Sequence, residues 1–316
     1  MHTNSPARTY STVDKAPLRA QLSDLVADHS IETTPGAAAK IADFRDFLRP
    51  GRSVAVTFLP GSPFDGTVAT ARRLKQEGFR PVPHVCARAV ADAADLEDKL
   101  QRLSEEAGAE DAVVLAGGLN HPVGAFDNSM QLLATGLFEK YGFRTLGLAG
   151  HPEGSPDISD LELERALAWK NNYARQSNIS FYLCTQFVFE AEAVISWDKR
   201  IRKAGNRLPV HVGIPGLATL KTLLSHAKAC GVGPSLRVLT KQAKNVSKLM
   251  TTRAPDKLLM ELAEYKSSDP ECGVRKVHVY PFGGMQRSAT WFQAIEAGDV
   301  NFDPDLTRFE VLSVPA

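Results

Sequence analysis

The sequence predicts an α/β fold: a single (β/α)8 TIM barrel with extra helices before the last strand. Three observations predict it. Short apolar runs rich in Val, Leu and Phe alternate with longer stretches of helical spacing and mixed charge, eight times over, which means a parallel sheet buried on both faces. The junctions after the first two runs, Glu32-Thr33-Thr34-Pro35 and Thr57-Phe58-Leu59-Pro60, lack the glycine-rich phosphate loop that a doubly wound open sheet would place there. The chain has 316 residues, 43% of them hydrophobic, a size and core content at which such barrels fold as one unit.

Taken in order, residues 1–17 are rich in Ser, Thr and Pro and read as a flexible arm, with the barrel domain spanning 18–316. The strands fall at Ile31–Thr33, Ser53–Phe58, Pro81–Cys86, Ala112–Ala116, Thr145–Ala149, Phe181–Gln186, Val210–Ile214 and Lys276–Tyr280. Helical spacing covers Thr67–Gly78, Asp95–Gly108, Met130–Tyr141, Leu161–Arg175, Glu190–Ala204 and Leu217–Cys230. Residues 231–275 exceed one crossover, so the extra helices belong there.

Charge excludes some functions. Lys and Arg number 37 against 36 Asp and Glu, so there is no excess of clustered positive charge for nucleic acid. Lys241, Lys244 and Lys248 form a basic helical stripe that reads as a solvated face. No apolar run reaches the roughly 18 residues of a membrane span. The polar start and the four widely spaced cysteines (Cys86, Cys184, Cys230, Cys272) point to reduced thiols in a cytoplasmic protein. His84, His121, His151 and His211 have no short ligand spacing, so no metal site is expected. Homo-oligomerisation is left open.

In such barrels the chemistry sits at the carboxyl ends of the strands. Read in order, those ends offer Glu32, Thr57, His84, Gly117-Gly118, His151 with Glu153, Gln186, the Gly213-Ile214-Pro215-Gly216 turn, and Tyr280 before Gly283-Gly284. Glu32 is the acid–base candidate, because a poorly solvated carboxylic acid holds its proton toward neutral pH; a helix cap or rim ion pair is the bland alternative. Gln186 is expected as a buried amide whose acceptor and donors suit the edge of a pterin or pyrimidine, against a plain core amide. Gly117-Gly118 permits close backbone approach to a ligand, though glycine after a strand is also ordinary turn chemistry. His84 and His151 are candidates for a flavin, phosphate or substrate contact, or structural residues.

Together these segments resemble the methylenetetrahydrofolate reductase family, from about Ser30 to Tyr280. Thr185-Gln186-Phe187-Val188-Phe189-Glu190 is similar to the family's TQ-F-F-[DE] block after the sixth strand. Ile31-Glu32-Thr33-Thr34-Pro35 resembles its E-F-x-P pattern, Val56-Thr57 its second strand, and Pro83-His84 its P-H pair. Ala149-Gly150-His151-Pro152-Glu153 resembles A-x-Y-P-E, and Val212-Gly213-Ile214-Pro215 resembles P-G-I-x-P.

The resemblance implies an oxidoreductase of one-carbon metabolism that interconverts 5,10-methylene- and 5-methyltetrahydrofolate through FAD and NADH or NADPH, toward methionine or in the oxidative direction. It implies that Glu32 donates the proton that opens the methylene-bridged ring. Gln186, with Phe189, would hold the pterin, and Thr57, His84, Gly117, Gly118, His151 and Lys170 would line the flavin. This chain departs from the family in carrying Ala116-Gly117-Gly118 in place of an Arg-Gly-Asp turn, and His151 and Ser155 in place of a tyrosine and a histidine. Phe282-Gly283-Gly284 replaces a stretch with a folate-binding arginine, leaving Gln286 or Arg287 to substitute. The departures fall on the flavin side more than on the Glu32 and Gln186 folate side. The alternatives are therefore a flavin-independent, NADH-linked reductase of the same folate, or a pterin-binding barrel methyltransferase.

Overall fold

The computed structural model describes residues 15–229 and 249–314. Eight parallel strands close into a barrel, as expected: β1 (Ser30–Thr33), β2 (Ser53–Val56), β3 (Arg80–Cys86), β4 (Asp111–Leu115), β5 (Thr145–Gly150), β6 (Ser180–Phe187), β7 (Val210–Pro215) and, after the two-residue strands β8 (Ala218–Thr219) and β9 (Thr252–Arg253), β10 (Val274–Tyr280). β10 pairs with both β7 and β1, which seals the ring.

Each strand alternates two environments, as the period of two requires. Outward residues such as Ile31, Val54, Val85, Val114 and Leu146 join one large core beneath the helices. Inward residues Ala55, Val82 and Val113 form a separate small cluster inside the barrel. Close approach there has a sequence requirement. A Cβ on Gly147 would meet the Tyr182 ring at 2.6 Å, so glycine on β5 makes room for a tyrosine inside the barrel.

The helices are α1 (Ala16–Val26), α2 (Pro35–Ala38), α3 (Phe64–Gln76), α4 (Ala93–Gln101), α5 (Ser129–Leu133), α6 (Leu137–Lys140), α7 (Asp160–Ala174), α8 (Ala191–Lys203), α9 (Leu220–Ala229), α10 (Asp256–Ser268) and α11 (Met285–Glu296). A C-terminal hairpin follows, β11 (Val300–Phe302) with β12 (Phe309–Val311), which the sequence reading did not foresee.

Four boundaries differ from expectation. The arm expected over 1–17 gives way to a helix at Ala16, because Pro17 suits a first turn and Leu22, Leu25 and Val26 are buried. The single helix expected over Met130–Tyr141 is two short ones, broken where Gly136 takes φ +69°. The Asp95–Gly108 helix loosens into a π turn at Arg102–Glu106 and stops at Gly108, φ +63°. The helix expected from Leu217 starts at Leu220, because Ala218–Thr219 pairs with Thr252–Arg253. α10 supplies one extra helix before the last barrel strand. Residues 1–14 of the arm, Cys230 and the stripe of Lys241, Lys244 and Lys248 lie outside the described residues.

Candidate active site

β1 alternates so that Ile31 and Thr33 are buried outward while Ser30 and Glu32 point into the barrel. Two neighbouring strands reach the same oxygen of Glu32. Thr57, just past β2, donates its hydroxyl to Glu32 Oε2 at 3.1 Å. From β10 on the other side, His278 Nε2 lies 3.5 Å from that oxygen, an electrostatic contact longer than a well-formed hydrogen bond. The other ring nitrogen, Nδ1, is 2.8 Å from Ser30 Oγ. The Glu32 side chain is 15% exposed and that of His278 5%. Glu32 Oε1 has no hydrogen-bond partner among the described residues, so one oxygen of the acid is held and the other is not.

The surroundings keep other ionisable groups neutral. Burial pushes His84 down to about 4, against the pull of the Glu32 charge and with a further push from His278. Burial raises the Cys184 thiol to about 12, with Glu32 adding to the rise. Deeper in the barrel His211 lies flat on Tyr182, ring centroids 4.0 Å apart at 23°, and burial drives that histidine down to about 3. Neutral rings therefore floor the site.

The wall between β6 and β10 is aromatic. Phe187 meets Phe189 edge-on at 5.7 Å, Tyr280 at 5.4 Å and Phe282 at 4.8 Å. Phe282 also stacks on His226, 4.1 Å away at 17°. The Tyr280 hydroxyl donates to the Thr185 carbonyl at 3.0 Å, fixing the wall to β6. Such a surface suits a flat, apolar ring system.

Gln186 lies beside this wall, but the expectation of a buried amide is corrected: the side chain is exposed. Beside it the β6–β7 register slips between Cys184 and Phe187, and the Gln186 Oε1 accepts from the Phe187 N–H at 3.1 Å. Its NH2 is left as a donor at the rim. Phe189 is half-buried in the wall, as a ring contact would need.

The residues expected to line one cofactor stand at the ends of the neighbouring strands β2, β3, β4 and β5 and on the helix α7. Thr57 and His84 belong with Glu32. Lys170, 6% exposed, donates to the Ala149 carbonyl at 2.9 Å; burial lowers it to about 8, and its charge helps burial push His151 to about 4. Gly117, at φ +96°, sits so near Cys86 that a Cβ would come within 2.9 Å of that side chain. The space that Gly117 and Gly118 line with Phe58, Pro60 and Arg88 amounts to about 10 Å³. That space holds about one water, against the several hundred Å³ of a cofactor-sized site. Arg88 is engaged with Asp127 and the Leu119 carbonyl, so it does not serve as a free phosphate ligand.

Gln286 and Arg287 are also displaced from expectation. Both are exposed on the first turn of α11 and line an open groove of about 750 Å³ with Lys40, Asp46 and Phe47. None of Glu32, Thr57, His84 or Gln186 lines that groove, and Arg287 Nη1 reaches the Thr252 hydroxyl at 3.4 Å. The turn before them ends at Gly284, φ +117°, which caps α11.

Sequence reading missed Ser30, His278, Tyr182 and Cys184. A signal existed for His278, which stands two residues before Tyr280 and so shares its inward face. Among the described residues no cluster of three or more His, Cys, Asp or Glu could hold a metal ion, and no helix is long and apolar enough to cross a membrane. Compared with models of known protein families, the chain matches none.

Proposed function

We propose that this protein is an oxidoreductase of the methylenetetrahydrofolate reductase type, interconverting 5,10-methylene- and 5-methyltetrahydrofolate with NADH or NADPH. The observation that carries the reading is the half-held acid: Glu32 Oε2 tied by Thr57, Oε1 without a hydrogen-bond partner among the described residues, beside an aromatic wall. A carboxylic acid so placed donates a proton to a bridging nitrogen of the methylene-bound folate. The ring opens to an iminium, and hydride from the nicotinamide converts its carbon to methyl, leaving Glu32 as carboxylate and the nicotinamide oxidised. The pterin lies against Phe189 and Phe282, with the Gln186 NH2 at its amide edge. His84 and Cys184 stay neutral near pH 7 and place no competing charge beside the acid.

A flavin-independent route is the form of this reading that the geometry favours, because the space beside Gly117 and Gly118 is about 10 Å³. The test is an anaerobic assay with 5,10-methylenetetrahydrofolate and either nicotinamide, following loss of the reduced nicotinamide and gain of the 5-methyl product. Consumption of both in equal amounts supports the proposal. No consumption with either nicotinamide, with or without added FAD, overturns it. Methyl transfer from 5-methyltetrahydrofolate to a corrinoid would then place the chain with the barrel methyltransferases.

A further inference from the structure

We infer that Thr185 and Tyr280 are positioning residues that fix the peptide planes on either side of Gln186 and so aim its side-chain NH2 at an acceptor on the substrate. This rests on the reading of Gln186 as a contact of the pterin amide edge. The burial alternation of β6 runs unbroken through this residue: Leu183, Thr185 and Phe187 are buried, and Tyr182, Cys184 and Gln186 are not. Gln186 therefore leaves the strand on the face that Tyr182 and Cys184 share, and there it is exposed.

An exposed amide at a break in the ladder would ordinarily be loosely held. Between the pairs Cys184–His211 and Phe187–Gly213, two residues of β6 oppose one of β7, so the regular pairing is interrupted. The Thr185 hydroxyl fills the gap. It accepts from the Gly213 N–H at 2.8 Å and donates to the Gln186 carbonyl at 2.8 Å. The Thr185 carbonyl in turn accepts from the Tyr280 hydroxyl at 3.0 Å, reaching over from β10 on the far side of β7. Gly213 lies between them, and a Cβ there would come within 2.6 Å of that same carbonyl oxygen. Pairing resumes where the Val188 N–H donates to the Gly213 carbonyl at 3.1 Å. One tethered carbonyl thus precedes the Gln186 Cα and the other follows it. Because each peptide unit is planar, holding both sets the φ and ψ of Gln186 and the direction of its side chain.

The far end of that side chain is fixed as well. Its Oε1 accepts from the Phe187 N–H at 3.1 Å, which requires the oxygen on that side and leaves the NH2 as the group a ligand meets. Gln186 is therefore a donor, matched to a carbonyl oxygen or a bare ring nitrogen. The hydroxyls of Thr185, 1% exposed, and Tyr280 are both spent on backbone, so each acts on the substrate through Gln186.

The experiment is a double-mutant cycle on the full chain, read as the Kd of 5-methyltetrahydrofolate by fluorescence titration and as kcat with the nicotinamide. Tyr280→Phe and Thr185→Val each remove one hydroxyl and keep the ring or the volume. Each is expected to raise Kd about tenfold, with a smaller fall in kcat. Thr185→Ser, which keeps the hydroxyl, is expected to bind folate within about twofold of the wild type. In a Gln186→Ala chain the same two substitutions are expected to change Kd by less than about twofold, because the group they aim is gone. A rise in Kd that persists undiminished in the Gln186→Ala chain, or a Kd unmoved in Tyr280→Phe, overturns the inference and leaves the reaction standing. Tyr280→Phe decides alone if Thr185→Val does not fold. A wild type that binds folate without turnover overturns the reaction reading, and the Kd cycle still judges the inference. A wild type that binds no folate overturns both.

Discussion

The Thr57 hydroxyl donates to Glu32 Oε2 across 3.1 Å, joining the carboxyl ends of β2 and β1 at the candidate acid. A residue expected to touch a cofactor is thereby occupied with the acid itself. Glu32→Gln keeps the shape and the Thr57 contact but has no proton to give, and kcat is expected to fall by about 10²- to 10⁴-fold. Thr57→Val removes one donor while preserving volume, and roughly a tenfold loss is expected. Steady-state kinetics decides this, and a Thr57→Val loss as large as that of Glu32→Gln would contradict the assignment of the two roles.

Lys170 makes a prediction about stability. Its amine is 6% exposed and bonded to the Ala149 carbonyl, and burial lowers it from 10.5 to about 8. Between those two values the unfolded chain binds more protons than the folded one, so stability rises with pH from 8 to 10.5. Below pH 8 the folded protein carries the full penalty of a buried ammonium, about 3 kcal/mol. Lys170→Met removes it at the loss of one hydrogen bond worth about 1 kcal/mol, for a net gain of about 2 kcal/mol at pH 7. Urea unfolding at pH 7 and pH 10 checks this: the wild type gains stability at the higher pH and the variant does not. A destabilised variant with an unchanged pH slope would mean the lysine is not the buried charge.

The barrel was legible because its strands are buried on both faces and read as continuous apolar runs, such as Val54–Val56 and Ala112–Leu115. Glu32 and His84 stood out as polar residues within those runs. His278 did not, because Arg275, Lys276 and Tyr280 already make its strand polar and hide one more polar side chain. Gln186 was located correctly at a strand end but given the wrong environment, since a bulge in the pairing of two strands leaves no mark on either strand alone. Gln286 and Arg287 were misplaced for a similar reason. The direction a turn takes out of the barrel depends on Gly284, φ +117°, and on the close passage of Gly283 against the Leu217 carbonyl, which are properties of the fold.

Gly147 makes a prediction about the barrel interior. A Cβ there would lie 2.6 Å from the Tyr182 ring, a ring itself stacked on His211. The stack on His211 holds the ring in place against the added methyl. Gly147→Ala is expected to destabilise the protein by about 1–3 kcal/mol, as overpacking does. Tyr182→Leu in the same chain restores part of that loss by vacating the contact, so the two effects are non-additive. Additive losses in thermal unfolding would show that the ring and the glycine do not share the space.

The last prediction concerns colour. The space lined by Gly117 and Gly118 is about 10 Å³, Gly117 is packed on Cys86, and Arg88 is held by Asp127. A flavin seated there would have to displace both contacts, so the purified protein is expected to show no absorbance band at about 450 nm and to acquire none after incubation with FAD and desalting. Turnover with a nicotinamide alone is then expected to be undiminished, because the acid at Glu32 and the wall at Phe187, Tyr280 and Phe282 need nothing from that side of the barrel. A yellow protein bleached by 5-methyltetrahydrofolate would instead mean that the loops after β3 and β4 open around the cofactor, and that Gly117 and Gly118 are there to let it approach. Enlarging the side chain at one of them separates the outcomes: Gly118→Val leaves a flavin-free enzyme active and strips a flavin-dependent one of its colour.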